Sequence, residues 1–216
     1  MTDILAEFEN NADPEQAVSM KAYMRDQFPF LGIPKPKRAV LSKEFLKRAK
    51  KDTRPNWSFI TECWERDERE YQYLALSYLS VVKGTLTPDD IPRLKQLVVT
   101  KSWWDSVDSL DIIIGEIAQR CPQVTAILLE WSTDANIWLR RIAIDHQLSR
   151  KENTDPVLLA KIIVNNLGQS EFFINKAIGW SLREYSKVAP DWVRDFIATH
   201  RHQMAALSIR EGSKYI

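Results

Sequence analysis

EREYQYLAL (Glu68–Leu76), SWWDSVDSL (Ser102–Leu110), NIWLRRIAI (Asn136–Ile144) and SEFFINKAI (Ser170–Ile178) recur at one interval of 34 residues. In register, one column reads Ala75, Ser109, Ala143, Ala177 and the next Leu76, Leu110, Ile144, Ile178. A column of small residues lets neighbouring helices approach closely, and a column of apolar residues must face a core. A fixed period of this length marks helical repeats, in which each helix pair covers the apolar face of the next. The expected fold is all-α, an α-α superhelix (solenoid) of HEAT-like repeats. An earlier copy is expected at Pro34–Ser42 and a frayed last copy near Ile209.

The rest of the chain agrees with this reading. Only 6 of 216 residues are glycine, and few segments alternate with the period of a strand. Pro34, Pro36, Pro55, Pro88, Pro92, Pro122, Pro156 and Pro190 fall between periodic runs, where proline starts helices or turns between them. The pattern predicts helices over 14–28, 37–50, 56–65, 68–83, 89–99, 103–120, 123–132, 137–149, 156–166, 171–187, 190–199 and 202–213. Ser102, Asn136 and Ser170 stand at equivalent positions as expected N-caps. No low-complexity linker divides the chain, so residues 1–216 are expected to form a single domain.

Composition narrows the class. Apolar residues make up 44% and charged residues 27%, the values of a soluble globular protein. No apolar run approaches the roughly 20 residues that span a bilayer, and the acidic stretch Met1–Asn11 has no signal-peptide pattern. Cys63 and Cys121 lack CxxC spacing, and His146, His200 and His202 show no ligand spacing. GxGxxG, GxxxxGK[ST] and GxSxG are absent. The expectation is a cytoplasmic protein that needs no metal, cofactor or membrane, and no partner to close its array. Net charge is +1 but unevenly placed. Lys35–Arg54 carries nine basic residues against Glu44 and Asp52, and Glu62–Glu70 carries five acids against Arg66 and Arg69. The basic block can follow a phosphate backbone or form a solvated helix face, and the acidic block reads as a solvated face.

One repeat breaks its own pattern. Trp103, Val107, Leu110, Ile114 and Ile117 complete a buried seam, and Trp104, Asp108, Asp111 and Gly115 form the stripe beside it. The equivalents of Asp108 are Leu74, Ile142 and Lys176, so the architecture does not require an acid there. The column Tyr78, Ile112, His146, Trp180 puts Trp180 on the equivalent face two repeats later. Arg141, in the column of Tyr73, Val107 and Asn175, stands beside that stripe on the intervening repeat. Two indoles, a carboxylate and a guanidinium can thus converge. The plainer alternative is an Asp108–Arg141 ion pair among packing tryptophans, as Trp57, Trp64, Trp103, Trp131 and Trp192 are expected to be.

KSWWDSVDS (Lys101–Ser109), NIWLRRIAI and FFINKAIGWSLREYSK (Phe172–Lys187) resemble the bacterial DNA alkylation repair family of AlkD, and GIPKPKRAVL (Gly32–Leu41) fits its basic N-terminal segment. The resemblance covers nearly the whole chain. It implies a HEAT-like-repeat DNA glycosylase acting on duplex DNA and releasing cationic alkylated purines, chiefly 7-methylguanine and 3-methyladenine. Carried onto this chain, the catalytic candidates are Trp104 and Asp108 from WWDSVD, Arg141 from WLRR and Trp180 from GWSLRE. Asp108 would face the developing sugar cation, the indoles would pack on the lesioned nucleotide, and Arg141 would hold a phosphate and keep Asp108 ionised. Lys35, Lys37, Arg38, Lys101, Arg183 and Lys187 are the expected phosphate contacts. The resemblance further implies a groove that grips the backbone without a deep base pocket. The alternative is a non-catalytic repeat protein that binds DNA or a protein partner through the same concave groove.

Overall fold

The computed structural model describes residues 3–216; Met1 and Thr2, the head of the stretch read above for a targeting signal, lie outside it. The chain divides into two compact units, Met1–Leu86 and Thr87–Ile216. The first holds α1 (Ile4–Glu9), α2 (Pro14–Tyr23), α3 (Lys35–Ala49), α4 (Trp57–Glu65) and α5 (Arg69–Val82). The second holds α6 (Ile91–Val99), α7 (Trp104–Arg120), α8 (Val124–Trp131), α9 (Ile137–Asp145), α10 (Pro156–Val164), α11 (Phe172–Ser186), α12 (Pro190–His200) and α13 (Ala206–Gly212). No strand occurs among the described residues. The fold is all-α, as the repeat predicts.

In the second unit the period becomes a layer. α7 packs on α9, α9 on α11 and α11 on α13, while α6 and α8 pack against α7 and α9, α10 against α9 and α12 against α11. Leu110, Ile144 and Ile178 are fully buried, as are Ala143 and Ala177 in the small column. Each such apolar side chain contributes about 1.5–3 kcal/mol by leaving water, and the alanines let the backbones close. Gly115 makes one approach closer still: a Cβ there would stand 2.3 Å from the backbone oxygen of His146. Nothing larger than hydrogen fits between α7 and α9 at that point. In the first unit the same period pairs α3 with α5, and Ala75 is fully buried.

Several expectations are corrected. α1 falls in a stretch whose acidity hid its apolar spacing; Ile4, Leu5 and Phe8 are its buried face. α2 stops before residue 28 because Arg25 and Asp26 turn to positive φ. α9 ends at Asp145, and Ser149 and Lys151 have positive φ in the loop that follows. Of the three expected caps only Asn136 acts as one, accepting from the Trp138 N–H at 2.9 Å. α7 and α11 begin a residue later, after Trp103 and Glu171, and the Ser102 hydroxyl donates to the Val98 carbonyl instead. The acidic block is not wholly a solvated face either. Glu62, Glu65 and Asp67 are exposed, but Glu70 and Arg69 are fully buried.

Candidate active site

Asp108 lies in the second turn of α7 and Arg141 in the second turn of α9, and the packing of these helices brings the two together. Arg141 Nε donates to Asp108 Oδ1 at 2.8 Å and Nη2 donates to Oδ2 at 3.0 Å. This is the two-point guanidinium–carboxylate fork, which fixes direction as well as charge. Arg141 Nη1 donates to the Phe173 carbonyl at 2.7 Å, and Nη2 stands 3.8 Å from Asp145 Oδ2. Arg141 is 1% exposed, whereas the Asp108 side chain keeps 26%. The guanidinium is therefore enclosed and committed, with no open face for a phosphate. In this structure Arg141 is directed to Asp108.

Burial pushes the Asp108 carboxyl above its usual range, and the hydrogen bond and charge of Arg141 oppose that rise. Arg141 is itself buried, but Asp145, Asp108 and Asp111 hold it firmly protonated. The two other acids were not singled out as site residues by sequence. Asp111 is 3% exposed and Asp145 1% exposed, and one oxygen of each lies within 4.8 Å of Asp108 and of the other. Three carboxylates thus share one guanidinium. Their signal was nevertheless in the sequence: Ser77, Asp111, Asp145 and Gly179 form one column of the repeat. Stacked repeats place equivalent positions side by side.

A cleft of about 550 Å³ opens here, lined by Asp108, Asp111, Gly115, Asp145, His146 and Trp180 among others. Trp180, half-buried on α11, sets its ring 5.1 Å from the Arg141 guanidinium and 5.7 Å from Lys176 Nζ. Trp104 stands one turn before Asp108 on α7, half-buried and outside the cleft lining. Trp103, expected in the buried seam, is half-buried at the N-cap of α7. Its ring meets Trp138 at 5.9 Å and Phe173 at 5.4 Å, while Val107, Leu110, Ile114 and Ile117 fill the seam. Trp64 and Trp131 are core; Trp57 and Trp192 are half-buried.

The expected phosphate contacts divide by exposure. Lys35 is exposed, as is Lys37, which also donates to the Asn11 carbonyl at 3.0 Å. Arg38 is drawn inward, donating to the Ile33 carbonyl at 2.8 Å with its guanidinium 4.4 Å over the Tyr73 ring. Lys101, half-buried, takes a positive φ in the turn before α7. Arg183 pairs with Glu211 at 3.0 Å, and Lys187, exposed, pairs with Glu184 at 2.6 Å.

A model of the family described as DNA alkylation repair enzyme matches residues 4–216. The chain belongs to that family. Among solved structures it is similar to a predicted DNA alkylation repair enzyme from Enterococcus faecalis, at 38% identity and a TM-score of 0.86, covering 95% of this chain and 96% of that one. It shares the fold of AlkD2 from Streptococcus mutans, at 17% identity and a TM-score of 0.60, covering 84% and 98%. No curated protein sequence matches it. No described helix of this family member is long and apolar enough to cross a membrane. Membership in a DNA alkylation repair family makes DNA the partner. The clamped acid beside an indole is where the chemistry can reside.

Proposed function

We propose that this chain is a monofunctional alkylpurine DNA glycosylase. It hydrolyses the N-glycosidic bond of cationic alkylated bases, 7-methylguanine and 3-methyladenine, in duplex DNA as the first step of base excision repair. The observation that carries this reading is Asp108, gripped at two points by a buried arginine and turned to a cleft that Trp180 also lines. A purine alkylated at N7 or N3 is already positive, so it leaves with the glycosidic electron pair as a neutral base. What needs help is the deoxyribose, whose C1′ becomes cationic as the bond breaks. A fixed carboxylate and an indole face stabilise such a charge without reorganising as it forms. Water then adds to C1′ and loses a proton, to Asp108 or to solvent. Arg141 keeps the carboxylate ionised and aimed, and Trp104 and Trp180 pack on the nucleotide. The chain acts as a monomer in the cytoplasm, and Lys35, Lys37, Lys101 and Lys187 hold the backbone.

The decisive measurement is release of 7-methylguanine from methylated duplex DNA by the wild type and by Asp108→Asn. The variant keeps the shape and loses the charge, so release should slow by roughly 100- to 1,000-fold, the cost of removing one preorganised electrostatic partner. Binding to undamaged DNA should barely change. A wild type that binds DNA but releases no base would leave the non-catalytic alternative standing.

A further inference from the structure

Asp111 and Asp145 meet because they hold the same column in consecutive repeats and because Gly115 lets α7 and α9 close. Fully ionised, the cluster would bury three negative charges against the single positive charge of Arg141. Burying an ion costs several kcal/mol unless it is paired and hydrogen-bonded. Arg141 makes hydrogen bonds only to Asp108 within the cluster, and Asp111 Oδ1 and Asp145 Oδ2 have no hydrogen-bond partner among the described residues. Ser181 supplies a second sign. Its oxygen lies 2.8 Å from the Ile144 carbonyl and 3.2 Å from Asp145 Oδ1, yet the hydroxyl has one hydrogen. An ionised Asp145 must share that one hydrogen with the carbonyl, so its Oδ1 is only partly satisfied.

We propose that Asp111 and Asp145 are a proton-holding pair that positions charge beside Asp108: doubly protonated in mild acid, singly protonated above neutrality, and favouring departure of a cationic base once the first proton has gone. This rests on the glycosylase reading for its effect on rate, but not for the proton pair itself. Asp145 yields first, because the Arg141 guanidinium stands 3.8 Å away and stabilises its anion, whereas Asp111 lies beyond ion-pair distance and feels the same charge less. Burial, with Asp108 adding to it, pushes the Asp145 carboxyl up to about 7 against the pull of Arg141 and Ser181. Burial and then the charges of Asp145 and Asp108 hold Asp111 well above the carboxylate range. The surrounding groups do not mask this step. On α7 the other acids are Asp108 in the cluster, Asp105 acting on Asp108, and Glu116 in the lining of the same cleft. At the C-cap of α9, His146 is kept neutral, pushed down to about 4 chiefly by burial. α11 contributes Ser181 and Trp180, and in the loop after α9 Arg150 donates to the Gly115 carbonyl at 2.6 Å. Lys151 and Glu152, of opposite sign, complete that wall.

The test has two independent arms. In the first, single-turnover release of 7-methylguanine is followed from pH 5.5 to 8.5 with enzyme in excess. The wild-type rate should rise roughly tenfold through neutrality, the effect of one charge several ångströms from the sugar at intermediate dielectric. Asp145→Asn should hold the slow, acid-limb rate at every pH. A flat wild-type profile, or a variant that keeps the wild-type slope, overturns the link to rate. In the second arm, aspartate side-chain carboxyl carbons of DNA-free protein are titrated by carbon-13 NMR. Two should titrate far above the usual range, one lost in Asp111→Asn and the other in Asp145→Asn; the wild-type spectrum alone decides if a variant fails to fold. Ordinary midpoints for every aspartate overturn the pair, and so does a fall of both midpoints on adding magnesium, which would make the occupant a metal ion. Two raised midpoints without base release at any pH would instead refute the glycosylase reading and leave the pair standing.

Discussion

Each unit of this chain buries acid, and the two do it in opposite ways. In the first, Glu70 is 0% exposed, and its carboxylate accepts from the backbone N–H groups of Leu31, Gly32 and Ile33 at 2.9, 2.9 and 3.0 Å. Consecutive backbone donors that converge on an anion are the nest geometry. Gly32 makes it possible: its φ is +89°, and a Cβ would fall 1.8 Å from the Asp13 carbonyl oxygen. In the second unit Asp108, Asp111 and Asp145 share one guanidinium, and two of their buried oxygens find no donor. Burial alone therefore does not mark a functional acid. Glu70 is satisfied and turned inward, so it fastens a loop; the aspartates are under-satisfied and line a cleft, so they retain something to offer a ligand.

The comparison breaks most visibly at Arg141. Arg141→Ala would strand three acids around an empty space, and removing one partner from a buried ion pair costs about 3–5 kcal/mol. Urea denaturation should show that loss at pH 7, with a smaller loss near pH 5, where the acids accept protons. Base release should fall at least as far as in Asp108→Asn, because the carboxylate loses its aim as well. A variant that unfolds like the wild type would mean that Arg141 is not the cluster's counter-charge.

At Glu70 the contrast turns from chemistry to stability. Glu70→Gln sets an amide NH₂ against backbone donors and leaves at least one buried N–H unpaired, which costs about 1–3 kcal/mol. The measurement is the denaturation midpoint together with base release per folded molecule. The first should fall and the second should not. A loss of turnover without a loss of stability would show that this acid does more than fasten its loop.

How far the sequence discloses this difference depends on what periodicity can see. The column Leu110, Ile144, Ile178 is apolar because it is core, and that much is visible directly. Asp108 was visible because its column is otherwise Leu74, Ile142 and Lys176, and Arg141 because it neighbours that stripe. Asp111 and Asp145 agree with each other in register, so they do not interrupt the pattern where a search for mismatches looks. Glu70 falls in the column of Trp104, inside a run of charges that reads as solvated. What buries it is a loop some 38 residues earlier in the chain, and no local pattern reports such a contact. The depth of Arg141 was hidden for the same reason, because its carbonyl partner comes from Phe173 on the next repeat. Chemistry was legible by residue type, and burial only where it repeated.

The smallest effect is expected at a third charged cluster, which sharpens the contrast because it has the inverse composition. Glu211 on α13 meets Lys176 at 2.7 Å and Arg183 at 3.0 Å, both on α11: one acid to two bases, with side-chain exposures of 17%, 25% and 23%. The Lys176 hydrogen bond, with the charges of Lys176 and Arg183, holds the Glu211 carboxyl below its usual range. A carboxyl lowered on folding contributes stability above its unfolded range, and that contribution fades as pH falls through its folded value. Asp145, raised on folding, has the reverse sign: its contribution is present in acid and fades as pH rises toward about 7. Ion pairs that keep contact with water are worth about 1 kcal/mol or less. Glu211→Gln should therefore lower the denaturation midpoint slightly at pH 7 and not at all near pH 3, whereas the effect of Asp145→Asn should be smallest near pH 4 and grow as pH rises toward about 7. If both variants showed the same pH dependence, the two clusters would be equivalent fasteners and the excess of acid around Arg141 would have no electrostatic consequence.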